Sequence, residues 1–442
     1  MLFRSVAANL DIQSGGSVGS SSQPLVIQIP DAGVVNVTAT DNITLLALAG
    51  SLNTGTVTAG GTATLLAPDG SVTASSNTPQ VAAKSFGPML FAAAAPSHLI
   101  TAAKLVVDAR DSVGELDNPL ITQIGELQAR GTTGDVALSN TGALHITASP
   151  RLPGVVAGGQ VQLNTTGRLL VDAAVKAGEA LHLEVLDQGL AQQTLTATST
   201  ARIESLTGDI QLLAPDAVRL ASGSRVITHG GGTGVQVALT RWSDGPSDAL
   251  IQSQGQIVSD HVSLQGGSRG TRFEVNHAGL TGNTQTPAVS VEGTAEPDRL
   301  VINHRSATTG ESFILSDNSL AATLAQYSQS RIDAVQLDLG DFADQVRIHG
   351  LQRIQSVVVN GNGGNDQFRV EFRTGGTTRV QIDGGTGTNG LTYDGAGGPL
   401  WAKPGVVQSL TARIEHTRVQ NLVPVNTPAL NGTPIYTGDR KS

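Results

Sequence analysis

One segment of this chain occurs twice. Residues 17–29 read SVGSSSQPLVIQI and residues 112–124 read SVGELDNPLITQI, with seven of the thirteen positions identical and no gap. A compact enzyme core rarely repeats its own loop and strand so closely. A solenoid does, because each of its units contacts only its neighbours along the axis. The repeat therefore predicts an architecture of stacked, similar units.

A shorter repeat lies inside the longer one. The segments DNITLLALAGSL (41–52) and GTATLLAPDGSV (61–72) match at an offset of 20, and GDVALSNTGAL (134–144) matches GQVQLNTTGRL (159–169) at an offset of 25. Residues 208–220, GDIQLLAPDAVRL, return the LLAPD of the second segment. Each copy is a short strand of alternating apolar residues, a small-residue turn and a second strand. This unit is long enough for one coil of a parallel β-helix, with coils about 4.8 Å apart.

The composition fits a narrow core. Aromatic residues make up only 3% of the chain, whereas 53 residues are glycine. Globular cores use aromatic rings to fill their centres, but a β-helix can be filled by stacked aliphatic side chains. The alternation predicts that the following residues point into the coil interior: Ile43, Leu45, Leu52, Leu65, Val72, Val136, Leu138, Val161, Leu163, Ile210 and Leu212.

Charge and cysteine content exclude several classes of function. The net charge is −9 and the five lysines form no cluster, so nucleic acid is not an expected partner. The absence of cysteine excludes disulfides, thiol catalysis and cysteine-ligated zinc. No run of 18 apolar residues predicts a transmembrane helix. The first residues, MLFRSVAANLDIQS, lack a signal-peptide pattern and run directly into repeats, so we expect the chain to begin inside a larger protein.

The type of repeat changes along the sequence, and these changes predict three regions. Residues 1–290 carry the β-helix repeats, residues 291–400 a second repeat type, and residues 401–442 a terminal strand and linker. An interruption at 75–97 predicts a loop or short helix beside the solenoid. Residues 319–334, SLAATLAQYSQSRIDA, predict another short helix.

The second repeat type consists of three segments that align with each other. They begin at Val335 (VQLDLGDFADQVRI), Val357 (VVVNGNGGNDQFRV) and Val380 (VQIDGGTGTNGLTY), at offsets of 22 and 23. The alignment equates two sets of polar residues, which are Asp338, Asn360 and Asp383, and Asp344, Asp366 and Asn389. Each segment reads as strand, Gly/Asp/Asn turn and strand.

The first region resembles the repeats of filamentous-haemagglutinin-like exoproteins, the large secreted adhesins of Gram-negative bacteria. GDVALSNTGALHI, DNITLLALAGSL, GTATLLAPDGSVTA and the paired SVG(x4)PLxxQI elements carry this resemblance over roughly residues 11–267. It implies an all-β fold: a right-handed parallel β-helix followed here by a smaller, irregular β-repeat region. The family's secretion domain has no counterpart in this sequence, which leaves the export route open.

The second region resembles the Gly/Asp-rich calcium-binding turns of RTX proteins, whose nonapeptide is G-G-x-G-x-D-x-U-x. Residues 361–369 (GNGGNDQFR) and 384–392 (GGTGTNGLT) each fit it with one exception. The resemblance implies Ca²⁺ as a ligand, since carboxylates and turn carbonyls supply the hard oxygens that it prefers. The candidate ligands are Asp338, Asp341, Asp344, Asn360, Asp366 and Asp383, together with Asn362 and the carbonyls of Gly361 and Gly363. The alternative is a set of turns that the backbone needs in any case.

No catalytic residue is predicted. Two G-x-S-x-G matches, 15–19 and 266–270, lack the helix that a hydrolase elbow requires and are read as turns. The nine histidines have no metal-ligand spacing. Asp69 and Asp216, in the two LLAPD copies, are the nearest approach to the paired carboxylates of a β-helical polysaccharide lyase or glycoside hydrolase.

The sequence thus favours a non-catalytic segment of a large secreted bacterial surface protein. We expect a rigid adhesive or structural stalk, monomeric within a longer chain and associated with the outer membrane. Its expected partners are glycans or proteins of host or neighbouring cells. The enzymatic reading is the alternative, and a calcium-loaded module that folds outside the cell is a third.

Overall fold

The structure is a computed structural model of the 442-residue chain. It describes residues 2–4, 9–30, 33–75, 99–230, 233–240, 249–268, 270–294, 297–373, 376–395, 400–409 and 412–425. These residues form 43 β-strands and one short 3-10 turn, His277–Gly279. The all-β prediction is confirmed. The strands divide between two compact units, Met1–Val235 and Gln236–Ser442.

The strands are numbered in chain order. Those of the first unit are β1 (Leu2–Arg4), β2 (Asn9–Ser14), β3 (Leu25–Gln28), β4 (Val34–Ala39), β5 (Ile43–Ala47), β6 (Leu52–Ala59), β7 (Thr62–Ala67), β8 (Val72–Ala74), β9 (Leu99–Ala109), β10 (Leu120–Gly131), β11 (Val136–Asn140), β12 (Leu144–Ile146), β13 (Gly154–Ala157), β14 (Val161–Thr165), β15 (Leu169–Val171), β16 (Ala174–Ala177), β17 (Leu181–Val185), β18 (Thr194–Ala197), β19 (Arg202–Ser205), β20 (Ile210–Ala214), β21 (Ala217–Leu220) and β22 (Arg225–Thr228). Strand β23 (Gly234–Leu239) contains the boundary between the units.

The second unit contains β24 (Ala249–Ser253), β25 (Gln256–Val258), β26 (His261–Gln265), β27 (Thr271–Asn276), β28 (Leu280–Thr281), β29 (Ala288–Glu292), β30 (Arg299–Asn303), β31 (Ser312–Leu315), β32 (Ser319–Ala321), β33 (Gln326–Ser330), β34 (Ala334–Asp338), β35 (Gln345–Ile348), β36 (Ser356–Asn360), β37 (Gln367–Glu371), β38 (Arg379–Asp383), β39 (Gly390–Asp394), β40 (Trp401–Lys403), β41 (Val406–Gln408), β42 (Arg413–Thr417) and β43 (Asn421–Val425).

The first unit is a stack of parallel coils, as the repeat predicts. In its first half, β2, β4, β6 and the start of β9 form one stack, and β3, β5, β7 and the end of β9 form another. From β11 onward each coil has three strands. Val136, Val161, Leu181 and Ile210 then lie in register on successive coils, which are 25, 20 and 29 residues long. The corresponding second and third strands of these coils pair in parallel in the same way.

The interior of these coils is aliphatic, and the sequence located it correctly. All eleven residues predicted to point inward are buried, with exposures of 0 or 1%. The prediction was correct because successive side chains of a strand alternate between its two faces. Buried Val, Leu and Ile from adjacent coils then stack, and each side chain removed from water contributes roughly 1.5–3 kcal/mol.

The 95-residue repeat has a structural counterpart in two equivalent loops. Val18 bridges to Ile43 before β3 begins, and Val113 bridges to Val136 before β10 begins. The glycine after each valine has φ of +69°, a conformation that L side chains rarely adopt. A Cβ atom on Gly114 would also lie 2.2 Å from the carbonyl oxygen of Ala137. The backbone conformation and the close packing therefore both require glycine at position 114.

In the second unit the coils change from three strands each to two, so that the strands form two parallel stacks. One stack runs through β27, β30, β34, β36, β38 and β42, and the other through β31, β35, β37, β39 and β43, all in parallel. Val335, Val357 and Val380 occupy one register position, so the internal alignment of the second repeat type is correct. Two antiparallel excursions, β31–β33 and β40–β42, interrupt the coils and make this region irregular.

Some predictions need correction. The short helix predicted at 319–334 is wrong, because the segment forms β32 and β33 of an antiparallel excursion. Residues 401–425 hold four strands instead of the single terminal strand expected. The interruption at 75–97 lies outside the described residues except for Ser75, as does the end of the chain after Val425.

Candidate functional site

The polar residues of the second repeat type lie in two columns, as the sequence alignment implies. The first column is at the ends of β34, β36 and β38, where Asp338, Asn360 and Asp383 occupy one register position. The Asn360 amide donates to Asp338 Oδ1 at 2.6 Å, and the guanidinium of Arg418 forms an ion pair with Asp383. Donor groups of the protein therefore already engage both carboxylates. Asp341 is exposed on the following turn.

The second column is a buried ladder of hydrogen bonds between coils. Its members are Glu311, Asp344, Asp366, Asn389 and Gln420. In each step the backbone N–H of one member donates to the side-chain oxygen of the next, at distances of 2.7, 2.9, 2.8 and 2.7 Å. The first four members are buried. The ladder thus ties each coil to the following one inside the fold, where hydrogen bonds are strengthened by low polarity.

Asp366 is the member of this ladder whose carboxylate is only partly satisfied by hydrogen bonds. Its Oδ1 accepts the Asp344 N–H, but its Oδ2 is buried and has no hydrogen-bond partner among the described residues. Burial raises the pKa of Asp366 to about 7, against the hydrogen bond from Asp344 and together with the Asp344 charge. Asn389, at the equivalent position of the next coil, avoids the conflict because its Nδ2 donates to the carbonyl of Gly384 at 2.7 Å.

Asp344 keeps both oxygens engaged. Oδ1 accepts from Glu311 N–H at 2.7 Å and Oδ2 accepts from Gly340 N–H at 3.2 Å. Burial still raises the pKa of Asp344 above its ordinary value, and the two backbone donors oppose that rise. The two aspartates therefore occupy equivalent positions with different partners.

The structure brings the six calcium candidates into neighbouring turns but not into one cluster of ligand atoms. Within the described residues, the one group of three or more His, Asp or Glu side chains whose ligand atoms lie mutually within 4.8 Å is a different one, His277, His304 and Glu311. Calcium binding at the aspartates stays a prediction. It would have to compete with the hydrogen bonds and the ion pair that engage these carboxylates.

The histidine cluster is built by the register of two strands. β27 ends at Asn276 and β30 ends at Asn303, and these residues are paired, so His277 and His304 follow at the same corner of consecutive coils. Glu311 immediately precedes β31 and reaches the same place. Its Oε2 lies 2.9 Å from His277 Nε2 and 3.5 Å from His304 Nε2. All three side chains are buried, with exposures of 0, 1 and 4%.

A second layer of contacts orients the cluster. His277 Nδ1 and the hydroxyl of Tyr327 are 2.7 Å apart, and Glu311 Oε1 accepts the N–H of Leu324 at 2.8 Å. The ring of Phe313 packs against both imidazoles, with centroids 5.4 Å from each. The cluster therefore fixes the antiparallel excursion that carries Leu324 and Tyr327 to two coils of the helix.

The electrostatics of the cluster differ between its members. Burial lowers the pKa of His304, and the neighbouring His277 lowers it further, so His304 is neutral at neutral pH. Burial opposes ionisation of Glu311, but its contacts with His277 outweigh that effect and lower its pKa. Burial raises the pKa of Tyr327 well above its ordinary value, so its hydroxyl keeps its proton. The arrangement combines a buried carboxylate with a neutral imidazole.

The sequence contains a signal for this cluster that the search for short motifs missed. The strand ends TRFEVNH and DRLVINH share Arg, an apolar residue, Asn and His at an offset of 27. That offset is one coil, which places the two histidines together. A search for H-x-H or H-E-x-x-H cannot find ligands that are separated by a whole coil. Glu311 has no such signal, since its position depends on the length of the preceding loop.

The other sequence candidates do not assemble into a site. Asp69 is exposed after β7, and Asp216 accepts the N–H of Gln193 between β20 and β21, several coils away. The two G-x-S-x-G segments connect strands. His182 and His349 are partly exposed and lie beside Glu184 and Glu371.

Comparison of the chain with family models, with curated proteins and with solved structures finds no match. Among the residues that the structure describes, none belongs to a helix of the length and apolarity needed to cross a membrane.

Proposed function

We propose that this chain is a non-catalytic, structural segment of a large secreted bacterial surface protein, in which it acts as a rigid adhesive stalk. The observation that carries the proposal is the coil-to-coil use of polar side chains. In both units, charged and amide side chains form hydrogen bonds and ion pairs that join one coil to the next. Such a body carries load along its stack and presents its outer faces to partners such as glycans or proteins of other cells.

The outer charges support this proposal. Arg130 makes a two-pronged contact with Asp108 of the previous coil, with both N–O distances 2.8 Å. Arg347 contacts Glu371 of the next coil at 2.6 Å. Each exposed pair of this kind contributes less than about 1 kcal/mol. Repeated over many coils, however, such pairs fix the register of a solenoid, whose stability adds coil by coil.

The alternative is a β-helical polysaccharide lyase or glycoside hydrolase. Such an enzyme needs two carboxylates, and for a lyase also a base, on one face of the helix. Asp69 and Asp216 lie on different coils, and Asp216 is engaged by the backbone. The alternative therefore has weaker support than the stalk.

Two measurements test the proposal. Antibodies against the full chain should label intact cells of the source bacterium, and retention of the protein in the cytoplasm would contradict a surface role. A panel of acidic and neutral polysaccharides should give binding without product. Turnover that an Asp216→Ala variant abolishes would establish the enzyme instead.

Deletion of one coil tests the stalk from inside. Residues 161–180 are one complete coil, because Val161 pairs with Leu181. Their removal should leave a cooperatively folded protein, since the neighbouring coils can pair in the same register. The matched control removes residues 161–170 only, which shifts the register and should prevent cooperative folding, as measured by circular dichroism on heating.

A further inference from the structure

The histidine cluster contains a buried polar group that the fold does not satisfy. His304 is 1% exposed, and among the described residues the backbone of Thr309 approaches its ring, but neither ring nitrogen makes a hydrogen bond of good geometry. Buried polar groups in folded proteins nearly always have a partner, and an orphan calls for an explanation such as an ion. Glu311 Oε2 lies 3.5 Å from His304 Nε2. The ring therefore points a nitrogen at a carboxylate without bonding to it.

We propose that His277, His304 and Glu311 bind one divalent transition-metal ion, with Zn²⁺ the best fit. The ligands are Nε2 of both imidazoles and Oε2 of the carboxylate. Two imidazole nitrogens and one carboxylate oxygen suit zinc, whereas calcium and magnesium take oxygen ligands. Zinc–ligand bonds of about 2.0–2.1 Å place neighbouring tetrahedral ligands roughly 3.3 Å apart. The two Nε2–Oε2 separations, 2.9 and 3.5 Å, lie on either side of that value.

The surrounding contacts hold the ligands as a metal site requires. A ligating histidine usually donates its second N–H to another protein group, which fixes the ring and its tautomer. The Tyr327 hydroxyl, 2.7 Å from His277 Nδ1, is placed to accept that proton. Leu324 N–H holds the second oxygen of Glu311 and so leaves Oε2 for the ion. Zn²⁺ binding at His277 Nε2 requires that nitrogen to be free of a proton.

The position of the ion defines its role. His277 and His304 belong to consecutive coils, and Glu311 begins the excursion that Tyr327 closes. One ion joins all three segments, with a water molecule as the fourth ligand of the tetrahedron. Because the ligands are buried, this ion is structural: it locks the point where the antiparallel excursion leaves the coils.

The test uses the full chain, stripped of metal by a chelator and then given one equivalent of Zn²⁺. Elemental mass spectrometry should find one zinc per chain after dialysis. At a free zinc concentration 100 times the Kd, the melting temperature of the second unit, Gln236–Ser442, should rise by roughly 5–10 °C. Co²⁺ in place of zinc should give the intense visible absorption of a tetrahedral complex.

Two variants and one control assign the site. His304→Phe should fold, because a second aromatic ring can pack against Phe313 as the imidazole does. Glu311→Gln keeps the shape of the side chain and removes its charge. Both should lose the bound zinc and the rise in melting temperature. His349→Ala, which removes a partly exposed histidine beside Glu371, should retain both.

Three results would overturn the proposal. The first is a wild type that retains no zinc. The second is zinc retained equally by His304→Phe, which would show binding to surface histidines only. The third is a wild-type cobalt spectrum that lacks the tetrahedral absorption. This spectrum decides the matter if either variant fails to fold.

Discussion

The three-strand coils of the first unit and the two-stack coils of the second are tied together by different chemistry. In the first, the buried side chain of Asn140 is a neutral amide, whose oxygen accepts from Thr122 Oγ1 and from Ile124 N–H, both at 2.9 Å. A buried carboxylate of this region, Glu204, pairs with Lys176 at 2.9 Å and also with Arg202. In the second, the carboxylates of Asp344 and Asp366 instead accept backbone N–H groups.

The difference shows how one architecture can have two responses to its environment. A neutral amide makes the same hydrogen bonds at every physiological pH. A buried carboxyl group makes good hydrogen bonds only in the protonation state that its surroundings support. We therefore expect the hydrogen bonds of Asn140 to be insensitive to pH and those of Asp366 to respond to it.

The largest expected effect is a core truncation that both kinds of coil should share. Leu163 is fully buried, and Leu163→Ala should lower the free energy of unfolding by about 2–5 kcal/mol, because it leaves a cavity. Urea denaturation at pH 5 and pH 8 should give the same loss. The control is Leu190→Ala, at a side chain that is 62% exposed, which should change the free energy by less than about 0.5 kcal/mol. Equal effects of the two variants would contradict the assigned interior.

The next effect is a loss of stability in the second unit as pH rises. Asp366 has a folded pKa of about 7, above the value of 3.8 for a free carboxyl, so the folded state binds more protons between these pH values. Stability therefore falls from about pH 4 to about pH 7 and levels off above, by at most about 4 kcal/mol. Hydrogen-exchange protection of β36–β39 should fall over this range, while that of β11, which contains Asn140 and no titratable residue, should not. Equal behaviour of both regions would remove the contrast.

A matched pair of substitutions sharpens the same point. Asp366→Asn supplies an N–H to the unpartnered position, as Asn389 already does one coil later, and should stabilise the protein at pH 8 by about 1–3 kcal/mol. Asp344→Asn should destabilise it by a similar amount, because both Asp344 oxygens accept backbone N–H groups. Denaturation curves at pH 8 give the two signs, and the same sign for both would refute the assignment of partners.

Calcium should have the smallest effect. Asp338 and Asp383 already have protein donors, so millimolar Ca²⁺ should raise the melting temperature by a few degrees at most. Magnesium should do less, because it demands a tighter octahedral shell. If calcium leaves the melting curves of both the wild type and Asp366→Ala unchanged, these turns serve only to connect strands.

Period and internal alignment predicted the fold and the register of the polar columns. Alternating Val, Ile and Leu located the interior, and the alignment of Asp338, Asn360 and Asp383 is a true register. Both depend on local spacing, which a sequence displays directly. The helix predicted at 319–334 failed because helix propensities, even those of Ala and Leu, differ by at most about 0.7 kcal/mol per residue among ordinary residues, and tertiary pairing can override them. Pairing of β33 with β29 and β32 outweighed that preference.

The histidine cluster could be predicted only in part. The repeated strand ending in Asn-His shows that His277 and His304 meet, provided the coil length is known. That Glu311 joins them depends on how residues 304–311 turn, which no period encodes. The orphan Oδ2 of Asp366 is equally invisible in sequence, since Asp and Asn fit the same turn.

The buried ladder has a direction, which matters while the chain is being made. Each amide of Glu311, Asp344, Asp366 and Asn389 awaits an oxygen that lies later in the sequence. A chain that emerges with its N-terminus first therefore always presents one open donor at its growing end, and the next coil to appear closes it. Assembly can proceed one turn at a time behind the ribosome or a translocation pore, without waiting for the C-terminus, and Gln420 ends the series with a neutral side chain.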